Sequence, residues 1–319
     1  MKEVSPLNIQ NFPDFLNRIR ENCGRIILGK TEIIDQLAIA LLAGGHILLE
    51  DLPGTGKTML LRAFSATIGM DFKRIQFTPD LLPSDLTGIY FYNQKNAEFE
   101  FRPGPLFAGI ILADEINRAT PRSQSALLEV MEEHQISIDG VTHRMPEPYL
   151  VMATQNPIES YGTFPLPEAQ MDRFLMQVSM GYMQREDEIR VMERADTRDL
   201  IAALSPVTDR EEILQLQKES REVTVSPEIT AYIMDLAQYT RESPLLSAGI
   251  STRGTLALYR TAQIRAAFAG RDYVIPEDVK AEAQVVLPHR IHIIRRSHSD
   301  SANFITTMLD SVAVPLEEL

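Results

Sequence analysis

Short apolar runs recur along the first half of the chain and predict a set of buried strands. These runs cover residues 47–50, 72–76, 109–114, 150–154 and 175–178. Helical patterns at residues 57–68 and 122–133 separate three of the runs. Because strands that alternate with helices form parallel sheets with both faces covered, the first part of the chain predicts an α/β domain.

Two shorter patterns interrupt this alternation and predict β-hairpins. Residues 89–102 surround a polar tip, and residues 135–145 turn at Asp139 and Gly140. Residues 8–43, which precede the first strand, predict helices packed before it.

The pattern changes near residue 185, after which the chain predicts almost only helices. The predicted helices cover residues 185–195, 209–219, 227–240, 252–269, 276–286 and 301–312. The clearest start is Ser226 followed by Pro227, because serine caps a helix N-terminus and proline suits the first helical position. We therefore predict an α/β domain at residues 1–185 and a helical domain at residues 200–319.

The composition excludes several classes of protein. The chain has 319 residues, 44% hydrophobic and 24% charged, which is typical of a soluble protein large enough for two domains. No apolar run reaches the ~20 residues of a membrane span, and the N-terminus lacks a signal-peptide core. A single cysteine, Cys23, fits a reducing cytosol, so a cytoplasmic location is expected. The net charge of −13 argues against broad contact with nucleic acid.

The most informative segment joins the first strand to the helical pattern that follows it. After apolar residues 47–49 come Gly54, Gly56, Lys57 and Thr58. The glycines let backbone N–H groups surround an anion, and the following helix points its positive dipole end at the same place. Lys57 adds a charge for the β- and γ-phosphates, and Thr58 a hydroxyl for magnesium. The segment predicts a phosphate-binding loop; an ordinary turn containing Gly-Lys-Thr fits the strand–loop–helix context less well.

One position departs from the strict pattern G-x-x-x-x-G-K-[ST]. The first glycine would be residue 51, which is Asp51 in this chain. That position opens the loop and does not contact the phosphates, so the prediction of a phosphate-binding loop is retained.

Two carboxylates end the apolar run at residues 109–114. Asp114 and Glu115 are expected at the carboxyl edge of a parallel sheet, where the phosphate-binding loop also lies. There Asp114 would hold magnesium through its water shell, and Glu115 would polarise an attacking water. The alternative is a helix N-cap at Asp114, and the loop upstream favours the catalytic interpretation.

Asn156 follows the apolar run at residues 150–154 and is a weaker candidate when taken alone. Its amide would lie beside Glu115 and orient the attacking water by a hydrogen bond. The alternative is an ordinary turn, because Asn-Pro is a common turn dipeptide.

Two arginines also have two interpretations each. Arg173 is either a surface arginine paired with Asp172 or Glu168, or an arginine finger inserted into a neighbouring subunit's site. Arg253 begins a predicted helix of the second domain and is a similar case. It would reach the γ-phosphate of a bound nucleotide and report its presence.

Taken in order, these motifs resemble those of the MoxR family of AAA+ ATPases. The matching segments are Leu-Pro-Gly-Thr-Gly-Lys-Thr at 52–58, Ala-Asp-Glu-Ile-Asn-Arg-Ala at 113–119, Gln-Ser-Ala-Leu-Leu-Glu-Val-Met-Glu-Glu at 124–133, Ala-Thr-Gln-Asn-Pro at 153–157, Gly-Thr-Phe-Pro-Leu-Pro-Glu-Ala-Gln-Met-Asp-Arg-Phe at 162–174 and Gly-Arg-Asp-Tyr-Val-Ile-Pro-Glu-Asp-Val at 270–279. The resemblance extends over nearly the whole chain. It implies the α/β fold class: an AAA+ P-loop core with a five-stranded parallel sheet of the ASCE type, and a C-terminal all-α lid.

The resemblance also assigns roles to residues. The nucleotide-binding residues that it implies are Ile27, Leu28, Gly29, Pro53, Gly54, Thr55, Gly56, Lys57, Thr58 and Met59. The implied magnesium ligands are Thr58 and Asp114. The implied catalytic residues are Glu115, Asn156 as sensor 1, Arg173 as the trans-acting finger and Arg253 as sensor 2. The family often has proline where Thr252 precedes Arg253, so this last assignment departs from the pattern.

The function implied by the resemblance is an ATPase that uses ATP and Mg²⁺ and assembles into a ring, usually a hexamer. Its role would be chaperone-like, remodelling or maturing client proteins that often contain a von Willebrand factor A domain. One alternative is a nucleic-acid-remodelling AAA+ motor, for which His143 and Arg144 are modest candidates and against which the acidic charge argues. The other is a nucleotide-gated scaffold with little hydrolysis, against which Glu115, Asn156 and Arg173 argue.

A short basic stretch near the C-terminus is predicted to be surface. It contains His289, Arg290, His292, Arg295, Arg296 and His298. The histidines lack carboxylate or thiolate partners at metal-binding spacing, and few aromatic residues are interspersed for base stacking. We therefore expect a solvated or subunit-facing surface there.

Overall fold

A parallel sheet forms the centre of the N-terminal half in this computed structural model, which describes residues 8–51, 54–155, 163–193, 197–294 and 298–315. The strands in chain order are β1 (Ile47–Glu50), β2 (Phe72–Gln76), β3 (Gly88–Asn93), β4 (Glu98–Pro103), β5 (Ile110–Asp114), β6 (Gln135–Ile138), β7 (Val141–Arg144), β8 (Leu150–Gln155) and β9 (Met176–Val178). The sheet has the order β2-β5-β8-β1-β9, which confirms the five-stranded parallel sheet. The two predicted hairpins are β3–β4 and β6–β7.

Helices cover the sheet and then form the C-terminal part. They are α1 (Asn11–Gly24), α2 (Thr31–Ala43), α3 (Lys57–Thr67), α4 (Pro83–Thr87), α5 (Pro121–Glu133), α6 (Glu168–Met171), α7 (Arg185–Glu193), α8 (Thr197–Ala202), α9 (Arg210–Glu219), α10 (Pro227–Glu242), α11 (Thr252–Phe268), α12 (Pro276–Val286) and α13 (His298–Ser311). The cap predicted at α10 is present, because the Ser226 hydroxyl accepts the Ile229 N–H at 3.2 Å. In the described part of the chain, no helix is long and apolar enough to cross a membrane.

The apolar strands divide their side chains between two cores. In β1, Ile47 and Leu49 join one buried cluster while Leu48 joins the other. This alternation follows from the two-residue period of a strand, and continuous apolar runs arise because both faces are covered. The first cluster also contains residues of α1, α2 and α9–α13. The boundary predicted between residues 185 and 200 stays a prediction, since this core is continuous across it.

The prediction for the basic stretch near the C-terminus is wrong for two of its residues. His289 and Arg290 are buried, with exposures of 5% and 4%. Arg290 donates from Nε to Asp172 Oδ1 at 2.8 Å and also donates to the carbonyls of Phe174 and Leu175. These bonds satisfy a buried guanidinium and attach the C-terminal helices to the α/β part. Arg295 and Arg296 lie outside the described residues.

Buried His46 joins β1, β8 and the end of α5. Its Nε2 donates to the Met131 carbonyl at 3.0 Å, and its Nδ1 accepts the Val151 N–H at 3.1 Å. Both bonds require the neutral ring, because a proton on Nδ1 would face the N–H donor. Burial lowers the pKa of His46 to about 4.

This pKa predicts a stability that depends on pH. In the unfolded chain His46 takes up a proton below about pH 6.5, whereas the folded protein resists protonation until about pH 4. Stability is therefore lost as the pH falls through this window. We expect the free energy of unfolding of the wild type to drop by about 3 kcal/mol more than that of His46→Gln between pH 7 and pH 4. Urea titrations at several pH values measure the difference, and parallel curves would contradict the assignment.

Candidate functional site

The loop between β1 and α3 has the backbone that an anion-binding site requires. Gly54 and Gly56 have positive φ angles of 84° and 90°. A Cβ atom at either glycine would meet no atom within 4 Å, so backbone conformation rather than crowding selects glycine there. Gly56 directly precedes α3, whose first N–H groups and positive dipole end therefore lie at the loop.

Asp51, which stands at the first glycine position of the loop pattern, stabilises the loop through hydrogen bonds. Its carboxylate accepts the Met180 N–H at 3.1 Å, and its side chain is buried. Its carbonyl accepts a bond from Lys57 Nζ at 3.1 Å. Lys30 Nζ donates to the Met180 carbonyl and to the Tyr182 carbonyl, the latter at 2.9 Å. The sequence analysis noted Asp51 only as a departure from the loop pattern. In the structure, Asp51 connects the phosphate-binding loop to the segment after β9.

The segment predicted to line an adenine pocket lies directly before Lys30. Ile27 is buried and Leu28 half-buried, while Gly29 is exposed with a φ of 66°. A Cβ at Gly29 would approach Asp187 Oδ2 to 2.1 Å, so α7 packs against this point. Lys30 bonds to the Met180 carbonyl, and the Met180 N–H in turn bonds to Asp51, so the segment is connected to the phosphate-binding loop only indirectly. Its contact with adenine stays a prediction.

Asp114 and Glu115 lie at the carboxyl end of β5 and share one threonine. The Thr154 hydroxyl donates to Asp114 Oδ1 at 2.7 Å and accepts the Glu115 N–H at 2.8 Å. Glu115 has a left-handed φ of 57°, an unfavourable conformation that redirects the chain after the strand. Thr154 therefore fixes both carboxylates relative to β8.

Strand β2 contributes two polar side chains that the sequence analysis missed. Arg74 donates from Nη2 to Asp114 Oδ2 at 2.7 Å, and Gln76 donates to Glu115 Oε2 at 2.7 Å. Glu115 also pairs with Arg118 at 3.0 Å. Arg74 and Gln76 are two residues apart on a strand that ends at the same sheet edge, which is the signal that would have found them. They had been interpreted only as part of a buried strand.

The phosphate-binding loop and the carboxylate pair border the same cavity, which has a volume of about 410 Å³. Its lining residues are Asp51, Gly54, Thr55, Gly56, Lys57, Thr58, Met59, Arg74, Asp114, Glu115 and Thr154. The phosphate-binding loop and the carboxylate pair therefore meet, as the sequence predicted. Thr58 and Asp114 both line the cavity, and their hydroxyl and carboxylate are oxygen donors of the kind that suits Mg²⁺. Pro53 and Asn156, also predicted here, lie outside the described residues.

Neither candidate arginine lines this cavity, and no residue of the predicted helical domain does among those described. Arg173 donates to the Leu128 carbonyl at 3.1 Å and pairs with Glu132 at 2.8 Å. The surface pairing considered for it, with Asp172 or Glu168, is therefore wrong. Arg253 pairs with the other carboxylate oxygen of Glu132 and lies 3.8 Å from Asp172. The two arginines lie together on a second face of the molecule.

Comparison with known proteins agrees with this architecture. Residues 46–176 match the model of the ATPase family associated with various cellular activities (AAA), and residues 238–308 match an AAA lid domain. The chain is 40% identical to Chaperone MoxR1 of Mycobacterium tuberculosis over 303 residues, covering 91% of this chain and 80% of that protein. The chain belongs to the MoxR family of AAA+ ATPases.

Two other proteins are similar to this chain over almost its whole length. It is 46% identical to the uncharacterized protein YeaC of Bacillus subtilis, covering 95% of both. It also superposes with a TM-score of 0.90 on a crystal structure from Cytophaga hutchinsonii, at 38% identity and 97% coverage of both chains. That protein is assigned only provisionally as an ATPase. Membership of this family implies nucleotide binding, usually with Mg²⁺.

The contact of Asp51 with Met180 predicts that restoring the strict loop pattern should destabilise the protein. Asp51→Gly recreates the strict loop pattern but leaves the buried Met180 N–H without its acceptor. We expect a loss of about 1–3 kcal/mol in the free energy of unfolding. Asp51→Asn keeps an acceptor oxygen and is the matched control, with most of the stability retained. A glycine variant as stable as the wild type in urea titrations would refute the supporting role.

Proposed function

We propose that this MoxR family protein hydrolyses Mg-ATP at the interfaces of a ring and uses the cycle to remodel or mature a client protein. The observation that carries the proposal is that the phosphate-binding loop, Asp114 and Glu115 line the same cavity. A cavity that combines backbone N–H donors and Lys57 with the carboxylates of Asp114 and Glu115 suits a nucleoside triphosphate with its metal. Ring size, client and cytoplasmic location stay predictions.

Each residue of the cavity has a chemical task in this proposal. Lys57 would exchange its bond to the Asp51 carbonyl for the β- and γ-phosphates. Thr58 and Asp114 would hold Mg²⁺, which when bound neutralises charge on the phosphate oxygens. Glu115 would polarise the attacking water. Its carboxylate accepts the bonds from Gln76 and Arg118 at the same oxygen, Oε2, so Oε1 could accept a bond from the water while both bonds are kept.

The two arginines are proposed to serve the neighbouring subunit. Neither lines the cavity of its own chain, yet both side chains are accessible, with exposures of 33% for Arg173 and 45% for Arg253. They border a second cavity of about 280 Å³ that four arginines and one glutamate line, so it favours an anion. A neighbour's γ-phosphate is such an anion.

The chaperone-like role is supported by a relative and by one exposed surface. One relative is named a chaperone. The β3–β4 hairpin exposes Tyr92 by 52% and Phe99 by 71%, and exposed aromatic residues commonly contact protein partners. His143, considered for nucleic-acid contact, instead stacks on Phe101 with ring centroids 4.2 Å apart and bonds to the Tyr90 hydroxyl. This packing favours a protein client over a nucleic acid.

The first test separates nucleotide binding from turnover. Glu115→Gln keeps the shape of the cavity but removes the base, so ATP should stay bound while hydrolysis falls by ~10² or more. Lys57→Ala should instead lose ATP binding and remain folded. Calorimetry measures binding, and phosphate release measures turnover. Turnover of Glu115→Gln within a few-fold of the wild type would remove Glu115 from the mechanism and favour a different base. Very slow turnover by the wild type would favour the scaffold alternative.

The second test concerns the interface. An arginine finger contributes ~10³ or more in rate, so Arg173→Ala should bind ATP normally and hydrolyse it slowly. Adding Lys57→Ala subunits should restore activity, because they cannot bind ATP but still offer Arg173 to the intact site next door. Phosphate release at fixed total protein measures the rescue. If the mixture gains nothing while wild-type activity per subunit is flat with concentration, Arg173 does not act in trans.

A further inference from the structure

Glu132 holds both candidate arginines although they come from distant parts of the chain. It lies at the end of α5, while Arg173 follows α6 and Arg253 is in the first turn of α11. One carboxylate oxygen pairs with Arg173 at 2.8 Å, and the other accepts a bond from Arg253. A single carboxylate thus bridges two guanidinium groups.

The bridging carboxylate reduces the repulsion between the arginine side chains on this face. Two neighbouring guanidinium groups repel each other, and Arg260 and Arg290 line the same cavity. Glu132 is the one carboxylate among the described lining residues and supplies counter-charge to Arg173 and Arg253, while Asp172 pairs with Arg290 from outside the lining. Fixing a long arginine side chain also costs rotamer entropy, and two bonds to one acceptor fix both side chains together.

We propose that Glu132 is the positioning residue that aligns Arg173 and Arg253 as a two-arginine clamp for the neighbour's γ-phosphate. This inference rests on the proposed interface function. Both oxygens of Glu132 are occupied by the arginines, so Glu132 acts through them and does not touch the phosphate. Arg173 keeps a second anchor at the Leu128 carbonyl, whereas Arg253 has its further contact with Asp172. Glu132 is what connects the two.

The geometry separates this role from a general contribution to stability. The side chain of Glu132 is 34% exposed, and exposed ion pairs contribute little to folding. Glu132→Gln keeps the size of the side chain and removes its charge. Its effect should therefore be on the placement of the arginines, where an error of about 1 Å can cost ~10²-fold in rate.

The experiment places Glu132→Gln on one or the other side of the interface. Arg173→Ala subunits supply the ATP site, and Lys57→Ala subunits supply the arginines. We expect Glu132→Gln in the Lys57→Ala subunit to lower the restored kcat by about tenfold or more, with KM for ATP little changed. The same change in the Arg173→Ala subunit should leave the rescue intact. Glu129→Gln, on an exposed position of the same helix, is the matched control in the Lys57→Ala subunit.

Each outcome decides the inference. A loss confined to Glu132→Gln in the arginine-supplying subunit supports the positioning role. Equal rescue with and without the change overturns it, as does an equal loss from either subunit, which would indicate an effect on assembly or folding. Thermal melts of each variant monitor folding independently. If the parent mixture of Arg173→Ala and Lys57→Ala shows no rescue, the proposed interface function itself fails.

Discussion

The parallel pairing of β8 with β5 on one side and β1 on the other is the constraint on which the site depends. Parallel strands end at the same edge of a sheet, so the loop after β1, the carboxylates after β5 and Thr154 of β8 must meet. The register is specific: Ala113 lies opposite Ala153, which places Asp114 and Thr154 side by side. Buried strands cannot slip by one residue, because every side chain would change core. The site is therefore held by the packing of the sheet.

This dependence explains what could be predicted from the sequence. The strand patterns identified all five strands of the sheet, although β2 also contains Lys73, Arg74 and Gln76. The motifs at the ends of the strands identified Lys57, Asp114 and Glu115 as neighbours. Alternating strands and helices also predicted a parallel sheet, but they did not predict the strand order β2-β5-β8-β1-β9. The predicted positions that line the phosphate-binding cavity are those where a local pattern and the chain order agree, whereas Arg74 and Thr154 line it without having been predicted.

The errors and omissions have a common physical cause. Arg74 and Gln76 are polar residues on an edge strand, where such side chains usually face water. Arg290 was expected at a surface, because a buried arginine is rare unless its donors are satisfied by partners distant in sequence. The partner of Arg173 is Glu132 rather than its near neighbour Asp172. In each case the decisive contact joins residues far apart in the chain, which local patterns do not encode.

Helix α5 connects the two faces that the proposed mechanism uses. A short turn at residues 116–118 leads from Glu115 into the helix, which ends with Glu132 at the arginine pair. Its 13 residues span about 20 Å. The apolar face of the helix is buried against the α/β core, which fixes its position relative to the sheet. The hairpin β6–β7 follows directly and meets β3–β4 through His143. The carboxylates, the arginine pair and the exposed aromatic hairpin are thus joined by a continuous series of packed elements.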